Sequence, residues 1–209
     1  MSYSALYVVF PKSVRTVAEY PNGWGTAPPL WNLLWGKYVE PGCFNFPLHT
    51  ADGGRGTALW KLHDDPRLEA HHRLVFWLTC DRGVIPKAML SALASACDTV
   101  HDEIRVREPK NVNHWRDVAQ HVRALLDPQG YAPPAPAPEM PAGTSIRDAF
   151  LYPPQNRTGD FRREHRLLSR SVGVGMDCTS VCQPMLEWAD LHRRKRDAPE
   201  LRMYEGSAL

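Results

Sequence analysis

A cysteine and an aspartate stand side by side at the end of a short apolar stretch. Residues 74–79 are almost wholly apolar, and Cys80 and Asp81 follow directly. An apolar run of this length, rich in β-formers, predicts a buried central strand. Ligands of open α/β sheets bind beyond the carboxyl ends of such strands. The position therefore nominates Cys80 and Asp81 as a catalytic site, with a thiol nucleophile that a histidine would activate.

The histidines of this region argue against that site. His71 and His72 precede the same predicted strand, and His49 and His63 lie in flanking segments. At about 3.3 Å per residue, the strand 74–79 alone is roughly 20 Å long, and it would separate His71 and His72 from the thiol by at least that distance. We therefore favour a structural role for Cys80 and Asp81 at the end of the strand, and we keep an enzyme with a site there as an alternative.

A second candidate site contains two cysteines, Cys178 and Cys182. His165 and His192 lie in the same third of the chain. Zinc sites allow two to four residues between paired cysteines, but the accompanying pair of closely spaced histidines is missing. The five cysteines are odd in number and scattered, which is not a disulfide framework. We expect no cofactor, and Cys178 and Cys182 are the candidates should a metal be bound.

Arginines are concentrated in the last third of the chain. On a helix, Arg162, Arg163, Arg166 and Arg170 would form a stripe that could follow phosphates, and a second basic run occupies residues 193–196. Acidic residues interleave with both runs, and the whole chain has a formal charge of only +2. Solvated helix faces are the commoner outcome of such patterns. Nucleic-acid binding through the basic C-terminal helices therefore remains an alternative function.

The segment 24–46 is dense in aromatic residues. Tryptophan and tyrosine are enriched at interface hot spots, and one helix cannot bury this many rings against its own sheet. Trp24, Trp31, Trp35 and Tyr38 are therefore the predicted partner-binding residues. The competing interpretation is a loop-rich lid over the core.

These residues depend on a scaffold that the hydrophobic pattern predicts. Continuous or alternating apolar runs indicate strands at residues 5–10, 74–79 and 104–107. Apolar residues spaced three and four apart predict helices, a brief one at 13–18 and others at 30–35, 89–100, 112–126, 160–170 and 184–196. The expected fold class is α+β: one domain with a small mixed sheet and helices mostly on one face.

Composition suggests three parts. Residues 1–127 form the predicted α+β core domain, and residues 128–144 are a linker in which Pro alternates with Ala. Residues 145–209 form a helical, partly basic extension with too few apolar residues for a core of its own. No apolar run approaches the roughly 20 residues of a membrane span, so a cytoplasmic protein without a membrane partner is expected.

The chain shows no recognisable catalytic frame, which favours a binding protein over an enzyme. We expect a non-enzymatic protein-binding or regulatory accessory protein with a protein partner. Accessory proteins that a phage or mobile element encodes, and that act on a host protein, are one class with these properties.

Overall fold

The computed structural model describes residues 3–21, 25–46, 58–80, 83–131, 157–178 and 202–205. The strands are β1 (Tyr3–Phe10), β2 (Ser13–Pro21), β3 (Gly83–Pro86), β4 (Arg157–Thr158), β5 (Gly173–Cys178) and β6 (Arg202–Met203). The α-helices are α1 (Ala27–Leu34), α2 (Ala70–Leu78), α3 (Leu90–Arg107), α4 (Trp115–Leu126) and α5 (Phe161–Leu168). The strands form one sheet in the order β4-β2-β1-β5-β3-β6.

The sheet is mixed, because β3 and β6 are parallel whereas the other neighbouring strands are antiparallel. One face of the sheet contributes Leu6, Val8, Ile85 and Val174 to the main core, together with the apolar faces of the helices. The α+β class, with a small mixed sheet and helices mostly on one face, is confirmed.

Strands β1 and β2 form a hairpin with a two-residue turn, because Phe10 pairs directly with Ser13. The prediction of a brief helix at 13–18 was wrong. The register shifts between Leu6, which pairs with Ala18, and Tyr7, which pairs with Thr16. A bulge of this kind inserts an extra residue into one strand. It leaves Val17 and Ala18 both buried, and two neighbouring buried residues resemble a helical pattern.

Strand β5 lies between β1 and β3, so residues beyond the predicted linker complete the sheet of the N-terminal part. The strand contains glycine where its neighbour approaches closely. A Cβ atom on Gly173 would lie 2.0 Å from the carbonyl oxygen of Ile85. An interior glycine gives only a weak strand signal in a sequence.

Helix α2 replaces the central strand predicted at 74–79, and that prediction was wrong. The helix packs against α1, α3 and β3, so it is apolar on almost every side. Leu74, Val75, Phe76 and Leu78 are all fully buried. A helix that is buried all round has no polar stripe, and its short apolar run cannot be distinguished from a buried strand by periodicity.

Helix α3 confirms the helix predicted at 89–100 but continues to Arg107. The strand predicted at 104–107 was therefore wrong. Ile104 is buried and continues the stripe of Leu93, Cys97 and Val100, while Val106 is 84% exposed. Four alternating residues also fit the last turn of a helix, where arginines interact favourably with the helix dipole.

The structure confirms the helices predicted at 30–35, 112–126 and 160–170 as α1, α4 and α5. Helix α1 is followed directly by a π-helical segment, Trp35–Val39. Most of the predicted linker (128–144) and all of the helix predicted at 184–196 lie outside the described residues.

Candidate functional site

Two neighbouring helices bring together imidazole and carboxylate groups at one point of the structure. His71 and His72 lie in the first turn of α2, Glu69 immediately precedes that helix, and Glu103 lies near the end of α3. One potential ligand atom from each of these residues lies within 4.8 Å of the others. We call these four residues the His/Glu cluster.

Glu103 lies at the centre of the His/Glu cluster. Its Oε1 is 3.0 Å from Nε2 of His71, and its Oε2 is 3.0 Å from Nε2 of His72. Glu69 completes the cluster, with Oε2 3.7 Å from Nδ1 of His71. The helical geometry of α2 makes this possible, since two successive residues point only about 100° apart.

The π-helical segment adds two further polar groups to the cluster. The Lys37 ammonium lies 3.2 Å from Glu69 and 3.1 Å from Glu103, so it links both carboxylates. The Tyr38 hydroxyl lies 3.1 Å from Oε1 of Glu69 and 2.8 Å from Nδ1 of His72. Single π-helical turns frequently occur at functional sites.

Burial within the cluster is graded. The His72 side chain has no exposed surface, those of His71 and Glu103 are about one quarter exposed, and that of Glu69 is half exposed. The cluster therefore has a dry inner side at His72 and a side open to water at Glu69.

The surroundings of the cluster set its charges. Burial alone would raise the pKa of Glu103, but hydrogen bonds with His71, His72 and Lys37 lower it well below its usual value. Burial lowers the pKa of His72, against the opposing effect of Glu103. Burial also raises the pKa of Tyr38 to about 12. At neutral pH the cluster therefore contains ionised Glu103, a neutral His72 ring and a protonated Tyr38 hydroxyl.

The donor set suits a transition-metal ion. Ligand atoms bound tetrahedrally to zinc at about 2.0–2.2 Å are on the order of 3.3 Å apart. The two contacts between histidine nitrogens and Glu103 oxygens, at 3.0 Å, need to widen by only a few tenths of an ångström. Glu69, on the exposed side, would move inward.

The structure separates Cys80 from His71 and His72, and His49 lies outside the described residues. Cys80 follows α2 at its carboxyl end, where its thiol donates to the carbonyl of Phe76 at 3.4 Å. His71 lies in the first turn of the same helix. His71 and Cys80 are nine residues apart, which corresponds to about 13 Å along the helix axis at a rise of about 1.5 Å per residue. Asp81 lies outside the described residues.

The aromatic residues that were nominated for partner binding occupy different places. Trp31 is 1% exposed and donates from Nε1 to the Thr79 hydroxyl at 3.0 Å. Trp35 is 2% exposed and lies 5.6 Å from the Phe46 ring. Both rings therefore belong to the core and not to the surface. Tyr38 is half-buried at the His/Glu cluster, and Trp24 lies outside the described residues.

The remaining candidates lie at the C-terminal side. Arg162, Arg163 and Arg166 are exposed on α5, and Arg170 is exposed just after it. Cys178 is the last residue of β5, but its side chain and Cys182 lie outside the described part of the chain, as does the basic run 193–196.

Sequence analysis named two members of the cluster, His71 and His72. It named neither the other two members, Glu69 and Glu103, nor the adjacent Lys37. Because a strand was predicted at 74–79, the candidate site was placed at its carboxyl end, at Cys80 and Asp81, and not at its amino end. The local pattern Glu-x-His-His at 69–72 is the signal that could have indicated ligands. Glu103 is 31 residues further along the chain, and nothing local links it to the histidines.

Comparison with known proteins adds no relative: no protein-family model, curated protein or solved structure matches the chain. Among the described residues, no helix combines the length and the apolar character needed to cross a membrane.

Proposed function

We propose that this protein binds a divalent transition-metal ion through Glu69, His71, His72 and Glu103. The observation that carries this proposal is the convergence of four potential ligand atoms within 4.8 Å. Imidazole and carboxylate ligands suit zinc and its first-row neighbours. Structural zinc sites are closed, whereas catalytic ones keep a position for water. With four protein ligands this cluster has the ligand count of a structural site, although the Glu69 side chain is half exposed.

The hydrogen bonds of Tyr38 support a cation at His72. Ionised Glu103 can only accept, so a metal-free neutral His72 donates from Nε2 and accepts at Nδ1 from the Tyr38 hydroxyl. The Tyr38 hydroxyl has a single hydrogen, and in this state it points to His72. No hydrogen is then left for the 3.1 Å contact between the Tyr38 hydroxyl and Oε1 of Glu69. With a metal on Nε2, His72 donates from Nδ1 to Tyr38, and Tyr38 donates to Glu69. Metal-bound histidines are usually oriented by such a partner on the other nitrogen.

A doubly protonated His72 would also provide every one of these hydrogens. Burial opposes that state, because it lowers the pKa of His72. The metal-bound state satisfies the same contacts without placing an imidazolium in a fully buried position.

Lys37 defines the competing interpretation, in which the cluster is an ion-pair network that joins α2, α3 and the π-helical segment. Its ammonium bridges Glu69 and Glu103 and so balances the charge that a metal ion would neutralise. The Lys37 side chain is 24% exposed and flexible, so an incoming dication can displace it. In a metal site Lys37 is a competitor, whereas in an ion-pair network it is a necessary member.

Calorimetric titration of the tag-free protein with Zn²⁺ distinguishes these interpretations. We expect one ion per chain, and we expect His71→Ala and Glu103→Gln to weaken binding more than about 100-fold, beyond the 10- to 100-fold effect of an outer-shell change. Lys37→Met keeps the length of the side chain but removes its charge. It should tighten zinc binding about tenfold or more, because the positive charges of lysine and the metal ion repel each other by several kcal/mol at this range in a partly buried site.

His63→Ala is the matched control, because His63 is a partly exposed histidine outside the cluster. It should bind zinc as the unchanged protein does. Absence of zinc binding, equal binding by Glu103→Gln and His63→Ala, or weaker binding by Lys37→Met would each contradict the proposal.

The role of the aromatic segment in partner binding and the presence of an enzyme site at Cys80 and Asp81 both stay predictions. With Trp31 and Trp35 in the core, substitution of these residues would test the stability of the fold before it tested a surface.

A further inference from the structure

Helix α5 separates its apolar and basic residues onto opposite faces. Phe161, Glu164 and Leu168 are buried, whereas Arg162, Arg163 and Arg166 are exposed. With about 100° between successive residues, the three arginines fall within an arc of about 100° on the side away from the core. Arg170, in the turn that follows, is exposed as well. We call these four residues the arginine face.

The acidic residues that interleave in the sequence do not neutralise this face. Glu164 is 4% exposed and points inward, where it pairs with Arg15 at 3.1 Å. Asp160 caps the helix by accepting from the backbone N–H of Arg163 at 3.1 Å. The near-neutral charge of the segment therefore does not extend to its surface.

Other arginines whose side chains the structure describes contact groups of the protein: Arg73 and Arg105 donate to backbone carbonyls, and Arg107 lies over the Phe44 ring. Arg67, Arg116 and Arg123 each form an ion pair with an aspartate. By contrast, no ion pair joins any member of the arginine face to another residue that the structure describes. The four side chains are therefore exposed, and none is paired with a carboxylate among the described residues.

A lysine extends the positive surface at the carboxyl end of α5. The Lys87 ammonium donates to the carbonyl of Ser169 at 2.8 Å and is exposed. This contact places its charge beside the turn that carries Arg170. The basic surface therefore includes residues from two separate parts of the chain.

We propose that the arginine face binds the phosphate backbone of a nucleic acid without sequence preference. Guanidinium groups match phosphate oxygens with two parallel hydrogen bonds, and exposed arginines on successive helical turns can follow a row of phosphates. Such contacts position the backbone but carry no direct information about the bases.

The chemistry of the face disfavours two other polyanions. A helix that lies on an anionic membrane needs an outward apolar face, and the apolar residues of α5 are buried in the core. An acidic protein partner usually requires an apolar anchor at the centre of the contact. The large apolar residues exposed in the described part of the chain, Trp60, Val106, Val112 and Leu126, all lie on other elements.

Fluorescence anisotropy of the full-length protein with labelled single-stranded and duplex oligonucleotides tests this proposal. If all four arginines contact phosphates, affinity should fall about 50-fold for single strands and about 150-fold for duplex DNA between about 50 and 200 mM salt. The oligonucleotide that is bound more tightly at the same salt concentration identifies the preferred form. Replacing all four arginines by alanine should abolish binding, and replacing all four by lysine should retain most of the salt dependence.

Arg116→Ala is the matched control, because it removes an exposed arginine that is paired with Asp102 elsewhere on the surface. Its affinity and salt dependence should equal those of the unchanged protein. The lysine variant and circular dichroism of the alanine variant separate a loss of contacts from a loss of folding. Absence of binding at the lowest salt concentration, equal binding by the folded alanine variant, or tighter binding to anionic lipid vesicles or polyglutamate would overturn the proposal.

Discussion

The pH dependence of stability should report the burial of His121. This residue of α4 is 2% exposed, and its Nδ1 lies 2.8 Å from the Tyr20 hydroxyl of β2. Its ring stacks on Phe161 of α5 at 5.5 Å. Burial lowers the pKa of His121 to about 4, although Asp117 acts in the opposite direction. The ring is therefore neutral at pH 7 and shares a hydrogen bond with the Tyr20 hydroxyl.

The size of the effect follows from the difference in pKa between the folded and unfolded states. The unfolded value is about 6.5, so below that pH the unfolded chain takes up a proton that the folded protein excludes. The contribution of the neutral ring to stability is complete above about pH 6.5, and it is lost progressively as the pH falls from about 6.5 to about 4. Each unit of difference between the folded and unfolded pKa corresponds to about 1.36 kcal/mol, so the free energy of unfolding should be about 3 kcal/mol lower at pH 4.

Urea denaturation at several pH values measures this loss, with His121→Gln as the control. Glutamine offers an amide oxygen to Tyr20 but does not titrate. Other histidines with a lowered pKa, His72 and His101, are present in both proteins, so their effects cancel. The advantage of the unchanged protein over His121→Gln should shrink by about 3 kcal/mol between pH 7 and pH 4. Parallel pH profiles of the two proteins would refute the reasoning.

Three further outcomes are expected. Tyr38→Phe should weaken zinc binding about 10- to 100-fold in calorimetry, because it removes the hydroxyl that orients a ligand histidine; unchanged affinity would contradict this. Trp31→Ala should lower the free energy of unfolding by about 3–5 kcal/mol, whereas Val106→Ala, at an exposed position, should change it by less than about 0.5 kcal/mol. Gly173→Ala should destabilise by at least about 1–3 kcal/mol, because its methyl group would lie 2.0 Å from the carbonyl oxygen of Ile85 in the neighbouring strand. Gly130→Ala should not, because the atom nearest to its methyl group, at 3.2 Å, belongs to the movable carboxylate of Asp127. Equal stabilities within either pair would refute the corresponding packing argument.

Amphipathic helices were the part of the fold that could be predicted. Helix α4 has a strong apolar stripe against a charged face, and its limits were found to within a few residues. Strand β1 was equally evident, because six successive apolar residues at 5–10 are too short for a typical helix. In both elements a single local pattern is enough to determine the structure.

Long-range packing decided the elements that could not be predicted. Helix α2 is covered by α1, which lies more than 30 residues earlier in the chain, and by β3 and α3, which fold back onto it from the segments that follow. Strand β2 contains a bulge that changes the period of its buried residues. The glycines of β5 give little strand signal, although the strand lies in the middle of the sheet. Each of these environments is created by contacts that no local window contains.

The candidate site was partly visible in the sequence. His71 and His72 were considered as possible catalytic groups, but the prediction placed them before a strand at 74–79, at the end opposite Cys80. As part of a helix, both reach Glu103. The pairing of α2 with α3 determines the site, and sequence analysis could not supply that pairing.

Anomalous X-ray diffraction at the zinc edge, from crystals grown with zinc, tests the proposed metal site most directly. We expect one strong peak per chain, bounded by Glu69, His71, His72 and Glu103 and about 2.0–2.2 Å from Nε2 of His72. The Lys37 ammonium should have moved away from both carboxylates. A map without a peak at these residues, with Lys37 still between Glu69 and Glu103, would show that the cluster is an ion-pair network and would contradict the proposed function.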